Sequence, residues 1–214
     1  MFGDVRLVDH VPQAFAALVE ERAPRSIALS GGDTARQCYE LLATADVPWA
    51  DIDVYFGDER WVPVHDPDSN EGMARVTFLD EVGPRSVRGM YQPDRTAEQG
   101  ADDYDALVRS APPIELVHLG LGPDGHTASL FPGAPTLEER ERLVVTAGDA
   151  LHPHPRLTFT VPAIERGRLV VVTVAGAEKR DAFARVQRGE DLPAARLPGD
   201  HLVWLVDEAA ASGS

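Results

Sequence analysis

The chain has 214 residues, of which 43% are hydrophobic and 26% are charged, a composition that excludes disorder as its main state. Lysine and arginine number 20 against 35 aspartate and glutamate residues, which gives a formal net charge of -15. So acidic a chain is not expected to bind nucleic acid or an anionic membrane surface. The single cysteine, Cys38, excludes an internal disulfide and any multi-cysteine metal site.

The apolar runs of the chain are short. The longest, 169–175 and 202–206, fall far below the roughly 20 residues that a membrane-spanning helix needs. Residues 1–10 alternate polar and apolar side chains and include acidic ones, which is not typical of a signal peptide. These features predict a cytoplasmic protein, and the length predicts a single α/β domain over residues 1–214.

Short apolar runs alternate with amphipathic segments along the whole chain, which predicts alternating strands and helices. The predicted strands are 5–8, 26–29, 52–56, 87–90, 114–119, 143–145, 157–160, 169–174 and 202–206. The predicted helices are 11–21, 34–42, 70–79, 97–109 and 181–188. This order predicts a doubly wound, mostly parallel sheet with helices on both faces, a Rossmann-like fold. Ligands of such folds bind beyond the carboxyl ends of the strands, so the loops after strands are the candidate sites.

The first such loop is Ser30-Gly31-Gly32-Asp33-Thr34, between a predicted strand and a predicted helix. Two glycines let the backbone come close to a ligand, and the free N–H groups of a helix start suit a phosphate. A structural turn capped by Asp33 or Thr34 explains the same residues equally well. The loop matches neither the P-loop nor the dinucleotide-binding pattern.

The second loop, 57–61, places Asp58, Glu59 and Arg60 directly after the strand 52–56. An arginine flanked by carboxylates can orient an anionic or carbonyl group. The alternative is a solvated cluster of charges.

The third loop follows the strand 114–119, and its glycines present Asp124 and His126 two residues apart. Histidine titrates near neutral pH and suits general acid–base catalysis, and a nearby aspartate would fix its tautomer. This position favours a functional histidine, whereas His118, inside the strand, is expected to belong to the core.

The fourth loop follows the strand 169–174 and holds Lys179, the only lysine of the chain. An ammonium group at a strand-to-helix junction fits a point-charge contact to a phosphate. A solvent-facing lysine on a helix surface is the alternative.

Three other features are interpreted structurally. Asp68 and Glu71 have the spacing of a helix cap and its third residue, so Asp68 is expected to cap the helix 70–79. His152 and His154 alternate with prolines that keep the segment extended, and without a third ligand we expect no metal there. Cys38 is expected to pack against the core.

Several of these segments occur together in an order that resembles the 6-phosphogluconolactonases. The matching segments are Ser30-Gly-Gly-x-Thr34, Phe56-Gly-Asp-Glu-Arg60, Asp68-Ser-Asn70, Leu119 to Phe131, Pro155-Arg-Leu-Thr-Phe-Thr160, Gly176-x-x-Lys179 and Trp204-Leu-Val-Asp-Glu-Ala209. The resemblance covers nearly the whole chain, and its most specific segment is 120–131. Asp33, Ala35 and Glu165 depart from residues usual in the family. Asp33 would weaken phosphate binding unless its side chain turns outward.

The resemblance implies hydrolysis of 6-phospho-D-glucono-1,5-lactone, the second step of the oxidative pentose phosphate pathway, with no metal or other cofactor. It implies a fold shared with glucosamine-6-phosphate deaminases and a small-molecule partner, in a monomer or small homo-oligomer. By position, it assigns the phosphate to Gly31, Gly32, Thr34, Arg156 and Lys179. It assigns the general base to His126, with Asp124, Asp58 and Arg60 around the lactone.

Two alternatives remain open. The first is a glucosamine-6-phosphate deaminase-type isomerase, a family that carries a glutamate where this chain has Phe131 and a tyrosine where it has Arg60. The second is a non-catalytic sugar-phosphate-binding protein. That protein would be expected to have lost its acid–base loop, whereas Asp124 and His126 are both present.

Overall fold

A computed structural model describes residues 2–148 and 153–211 of the chain. The strands in this part of the chain are β1 (Asp4–Leu7), β2 (Ser26–Leu29), β3 (Asp53–Phe56), β4 (Asp58–Arg60), β5 (Ser86–Val87), β6 (Leu116–Gly120), β7 (Val144–Ala147), β8 (Arg156–Phe159), β9 (Val170–Val174) and β10 (Leu202–Val206). The α-helices are α1 (Val11–Arg22), α2 (Asp33–Leu42), α3 (Asn70–Ala74), α4 (Asp80–Val82), α5 (Ala97–Ser110), α6 (Val161–Glu165), α7 (Arg180–Gln187) and α8 (Glu208–Ala211). A π-helical turn, Arg75–Leu79, joins α3 to α4. Short 3-10 turns cover Trp49–Asp51, Pro135–Glu138, Ala177–Lys179, Pro193–Arg196 and Gly199–His201. None of the described helices is long and apolar enough to cross a membrane.

The main sheet has seven strands in the order β1-β10-β9-β6-β2-β3-β5. Every pairing within it is parallel, so the predicted parallel sheet is confirmed. The valine-rich strand β9 is buried along its whole length, as expected of a central strand covered on both faces.

The chain order reverses between β2 and β6, which lie side by side. From β2 the chain continues outward to β3, whereas from β6 it continues to β9 and β10 on the other side. The loops that follow β2 and β6 therefore diverge at a crevice, and this is where open parallel sheets bind their ligands.

A second sheet, β4-β8-β7, is antiparallel and lies outside the predicted parallel arrangement. The interpretation of 57–61 as a loop is wrong at Asp58–Arg60, which forms β4. This strand exists because it pairs with β8, so that Arg60 lies opposite Arg156. No local pattern marks a strand of three charged residues whose partner is so distant in the chain.

Two predicted helix caps are also wrong. Ser69, not Asp68, caps α3, since its hydroxyl accepts a hydrogen bond from Gly72 N at 3.0 Å. Gly32, not Asp33 or Thr34, precedes the first residue of α2, and no side chain caps that helix.

The interpretations of His118 and Cys38 as core residues are confirmed, since both are fully buried. The His118 ring stacks on Phe15 with 4.0 Å between ring centroids. Nδ1 of His118 lies 2.9 Å from the Tyr39 hydroxyl, and Nε2 lies 3.0 Å from Oγ1 of Thr173. Burial raises the pKa of the Cys38 thiol to about 12, so it remains an inert packing group.

Candidate active site

A cavity of about 190 Å³ opens at the carboxyl ends of the central strands. The residues that line it follow β2, β6 and β9, belong to β4, β6 and β8, or begin α3. They include Ser30, Gly31, Gly32, Asp58, Arg60, Asn70, Gly120, Gly122, His126, Arg156 and Lys179. Of the predicted site residues, only Asp124 and Thr34 do not line it. One cavity therefore gathers parts of all four segments that were predicted to carry the site.

His126 and Asp124 form a hydrogen-bonded pair at the mouth of this cavity. Nδ1 of His126 lies 2.6 Å from Oδ1 of Asp124, and the same oxygen accepts from the His126 backbone N–H at 3.2 Å. Burial alone would raise the pKa of Asp124, but these hydrogen bonds lower it below its usual range. A charged Asp124 holds the imidazole proton on Nδ1, and Nε2 is then a base without a hydrogen-bond partner in the described part of the chain.

Three cations line the cavity: Arg60, Arg156 and Lys179. Within residues 2–148 and 153–211, none of them forms an ion pair with a carboxylate. Burial and, next, the charge of Arg60 lower the pKa of Arg156. Asp58 also lines the cavity, so three cations lie beside one carboxylate. In a chain with a net charge of -15, this local excess of positive charge makes the cavity a site for an anionic ligand.

The glycine-rich loop after β2 approaches the cavity through its backbone. Gly32 has φ 93°, in the region that favours glycine. A Cβ on Gly31 would lie 2.0 Å from Oδ1 of Asn70, so only glycine allows this close packing. The Asp33 side chain is 91% exposed and lies 3.8 Å from Arg36. The Asp33 carboxylate therefore faces solvent, so it is not expected to repel a phosphate bound at this loop.

Glu59, on β4, holds the start of α3 in place through hydrogen bonds. Its carboxylate is buried and accepts from the backbone N–H groups of Arg60, Asn70 and Glu71 and from the Ser69 hydroxyl. Burial raises the pKa of Glu59 to about 7 against the opposing effect of these hydrogen bonds. The consequence for the site is a fixed position of Asn70, the first residue of α3.

Asn70 was not among the predicted site residues, although it belongs to the segment Asp68-Ser-Asn70 that contributed to the resemblance. It donates from Nδ2 to the backbone carbonyl of Asp58 at 2.9 Å and accepts on Oδ1 from Nη1 of Arg60 at 2.9 Å. Its importance follows from its contacts with β4, which the sequence did not indicate.

Phe131 lies between the histidine and one of the arginines. Its ring centroid is 5.1 Å from that of His126, and Cζ of Arg156 lies 5.7 Å from the same ring. The aromatic ring supports both side chains without adding a charge to the cavity.

No group of three or more histidine, cysteine or acidic side chains in the described ranges is arranged to hold a metal ion. His154 lies with Nε2 3.3 Å from Oδ2 of Asp68. His152, the other histidine of the proline-flanked segment, lies outside the described residues.

Comparison with known proteins finds relatives that match most of the chain. A 6-phosphogluconolactonase of Synechocystis sp. is 42% identical over 207 residues, which cover 90% of this chain and 85% of the relative. The 6-phosphogluconolactonase of Homo sapiens is 35% identical over 218 residues, with 93% and 84% covered. The crystal structure of a 6-phosphogluconolactonase from Thermotoga maritima has a TM-score of 0.84 at 26% identity, with 96% of this chain and 100% of that chain covered.

The fold also occurs in proteins whose sequence identity to this chain is low. A monomeric glucosamine-6-phosphate deaminase has a TM-score of 0.84 at 20% identity and covers 97% of this chain, which confirms the predicted common fold. The family model of glucosamine-6-phosphate isomerases and 6-phosphogluconolactonases matches residues 5–204. The chain therefore belongs to the glucosamine-6-phosphate isomerase/6-phosphogluconolactonase family.

Proposed function

We propose that the chain hydrolyses 6-phospho-D-glucono-1,5-lactone to 6-phospho-D-gluconate, the second step of the oxidative pentose phosphate pathway, in the cytoplasm. Its relatives over most of the chain carry the name of this enzyme, which makes the chain a lactone hydrolase. The observation that carries the proposal is a histidine–aspartate pair beside a cavity that is lined by three cations and one carboxylate. The lactone is a cyclic ester with a phosphate at its far end. The histidine–aspartate pair would serve the ester, and the cations would bind the phosphate.

The phosphate is held by Lys179, Arg156 and the backbone at Gly31 and Gly32. All four line the cavity, and Gly32 directly precedes the first turn of α2, whose N–H groups have no partner within the helix. Thr34 lies in that first turn but not on the cavity wall, so its contribution is through the backbone N–H. The local positive charge offsets the repulsion that a dianion meets from an acidic protein.

His126 acts as the general base. Nε2 takes a proton from water while the water oxygen forms a bond to C1 of the lactone, and the carbonyl oxygen becomes an oxyanion. A backbone N–H stabilises this oxyanion, because Arg60, which the resemblance places around the lactone, lies opposite Arg156 on the neighbouring strand and binds the phosphate with it. When the bond between C1 and the ring oxygen breaks, the protonated imidazole returns its proton to the ring oxygen, and Asp124 stabilises the imidazolium in the interval.

The deaminase-type alternative is disfavoured by the side chain beside the histidine. The position where deaminases carry a glutamate holds Phe131, whose ring contacts the His126 ring. A phenyl ring cannot transfer a proton, so this cavity lacks a second acid–base group at that place.

The test is hydrolysis of the lactone, followed as proton release between pH 6 and pH 7, where spontaneous hydrolysis is slow. His126→Ala is expected to lower kcat by about 10²–10⁴-fold with little change in KM. His65→Ala, an exposed histidine outside the cavity, serves as the control. A wild-type protein that does not accelerate hydrolysis contradicts the function, and ammonia release from glucosamine 6-phosphate would favour the deaminase instead.

A further inference from the structure

Arg60 and Arg156 stand directly opposite each other on β4 and β8. Side chains opposed in this way begin about 5 Å apart, and like charges there repel. The Nε atoms of both arginines are buried and have no hydrogen-bond partner in the described part of the chain. An anionic group that accepts from the guanidinium groups of both arginines would relieve this repulsion.

Each of the two arginines is connected to buried Asp58 through one uncharged side chain. On one side, Asn70 donates from Nδ2 to Oδ1 of Asp58 at 3.3 Å and accepts from Nη1 of Arg60 at 2.9 Å. On the other side, Ser129 donates from Oγ to Oδ2 of Asp58 at 2.7 Å and receives Nη1 of Arg156 at 3.4 Å. The carboxylate therefore anchors both arginines without forming an ion pair with either of them.

Ser129 is rigidly held at its place in this network. It is fully buried, and its backbone N–H donates to Oγ1 of Thr158 on β8 at 3.1 Å. The preceding residue, Ala128, has φ 48°, a left-handed conformation that residues other than glycine rarely adopt. The chain thus turns sharply just before the serine, and its hydroxyl meets Asp58.

We propose that Ser129 and Asn70 are positioning residues that hold Arg156 and Arg60 side by side, so that the two guanidinium groups act as one anion-binding unit. The proposal rests on the proposed function, because the anion it assigns to this unit is the phosphate-bearing substrate. The two residues act through the arginines and do not take part in proton transfer.

The test is a double-mutant cycle between Ser129→Ala and Arg156→Ala. KM for the lactone is measured by kinetics, and the Kd of inorganic phosphate is measured by titration calorimetry. In the wild-type background, Ser129→Ala is expected to raise both constants about tenfold. In the Arg156→Ala background, it is expected to raise neither further, because its effect passes through that arginine.

The matched control is Ser86→Ala. Ser86 donates to Oδ1 of Asp53 at 2.7 Å, the same length as the bond from Ser129 to Asp58, but at the opposite end of strand β3. This variant loses an equivalent serine–carboxylate hydrogen bond and is expected to leave the KM and the Kd of phosphate unchanged.

Asn70→Asp provides a second measurement should Ser129→Ala fail to fold. The aspartate keeps the acceptor for Arg60 but cannot donate to Asp58, so the Kd of phosphate is expected to rise. In the double variant with Arg60→Ala, the Kd is expected to be no higher than in Arg60→Ala alone. Additive effects in either cycle, or an unchanged phosphate affinity, would overturn the proposal. Because phosphate binding is measured without turnover, a protein that follows this pattern but does not hydrolyse the lactone refutes only the proposed function.

Discussion

The carboxylate of Asp124 binds His126 twice, through the ring at Nδ1 and through the backbone N–H. It therefore fixes both the orientation of the ring and the nitrogen that carries the proton. Asp124→Asn preserves the shape but removes the charge that stabilises the imidazolium. We expect kcat to fall about 10²-fold with little change in KM.

Steady-state kinetics of lactone hydrolysis measure this effect. Asp4→Asn, a neutralised aspartate from the exposed ion pair with Arg6 on β1, is the control for the change in net charge. A kcat of Asp124→Asn equal to that of the wild type would contradict the role given to Asp124.

Gly122 makes room for the catalytic ring. A Cβ at this position would lie 2.1 Å from Nδ1 of His126, far inside van der Waals contact. Gly122→Ala is therefore expected to displace the imidazole from Asp124 and to lower kcat about as much as His126→Ala does, roughly 10²-fold or more. In Gly57→Ala the added methyl meets nothing closer than 3.6 Å, so this variant should keep the wild-type kcat. Equal activity of the two variants would show that the space over Gly122 is not needed.

Lys179 is expected to contribute binding energy rather than chemistry. Since a phosphate contact is almost the same in the ground state and in the transition state, Lys179→Ala should raise KM by about tenfold to a hundredfold and leave kcat nearly constant. Arg95→Ala removes one positive charge from an exposed ion pair with Asp103 and is the control for net charge. A fall in kcat at constant KM would instead assign Lys179 to the reacting centre.

The sequence predicted the parallel sheet and the loops that carry the site, because both depend on local patterns. Apolar runs mark buried strands, and in a parallel sheet the loops after them meet at one edge. The second sheet could not be predicted, since β4 is stable only through its pairing with β8. Asn70 and Ser129 were missed for a related reason, because their contacts with Asp58, 12 and 71 residues away, depend on how β4 is placed in the fold. Arg156 entered the site only through the family resemblance.

The buried imidazole of His118 makes the stability of the fold depend on pH. Burial lowers the pKa of His118 from 6.5 to about 3. Below pH 6.5, His118 is therefore protonated in the unfolded chain but stays neutral in the folded protein. The free energy of unfolding falls as the pH falls. Between pH 7 and pH 5 this loss amounts to about 2 kcal/mol.

A comparison with His118→Gln isolates this contribution. Glu59, whose pKa is raised by burial to about 7, acts in the opposite sense, since the folded protein gains stability as the pH falls toward 4.5. The pH dependence of the wild type alone mixes the two groups, whereas Glu59 is present in both proteins and cancels from their difference. Urea unfolding at pH 7 and pH 5 is therefore expected to show that the wild type loses about 2 kcal/mol more than His118→Gln. The same loss in both proteins would mean that His118 accepts a proton within the folded core.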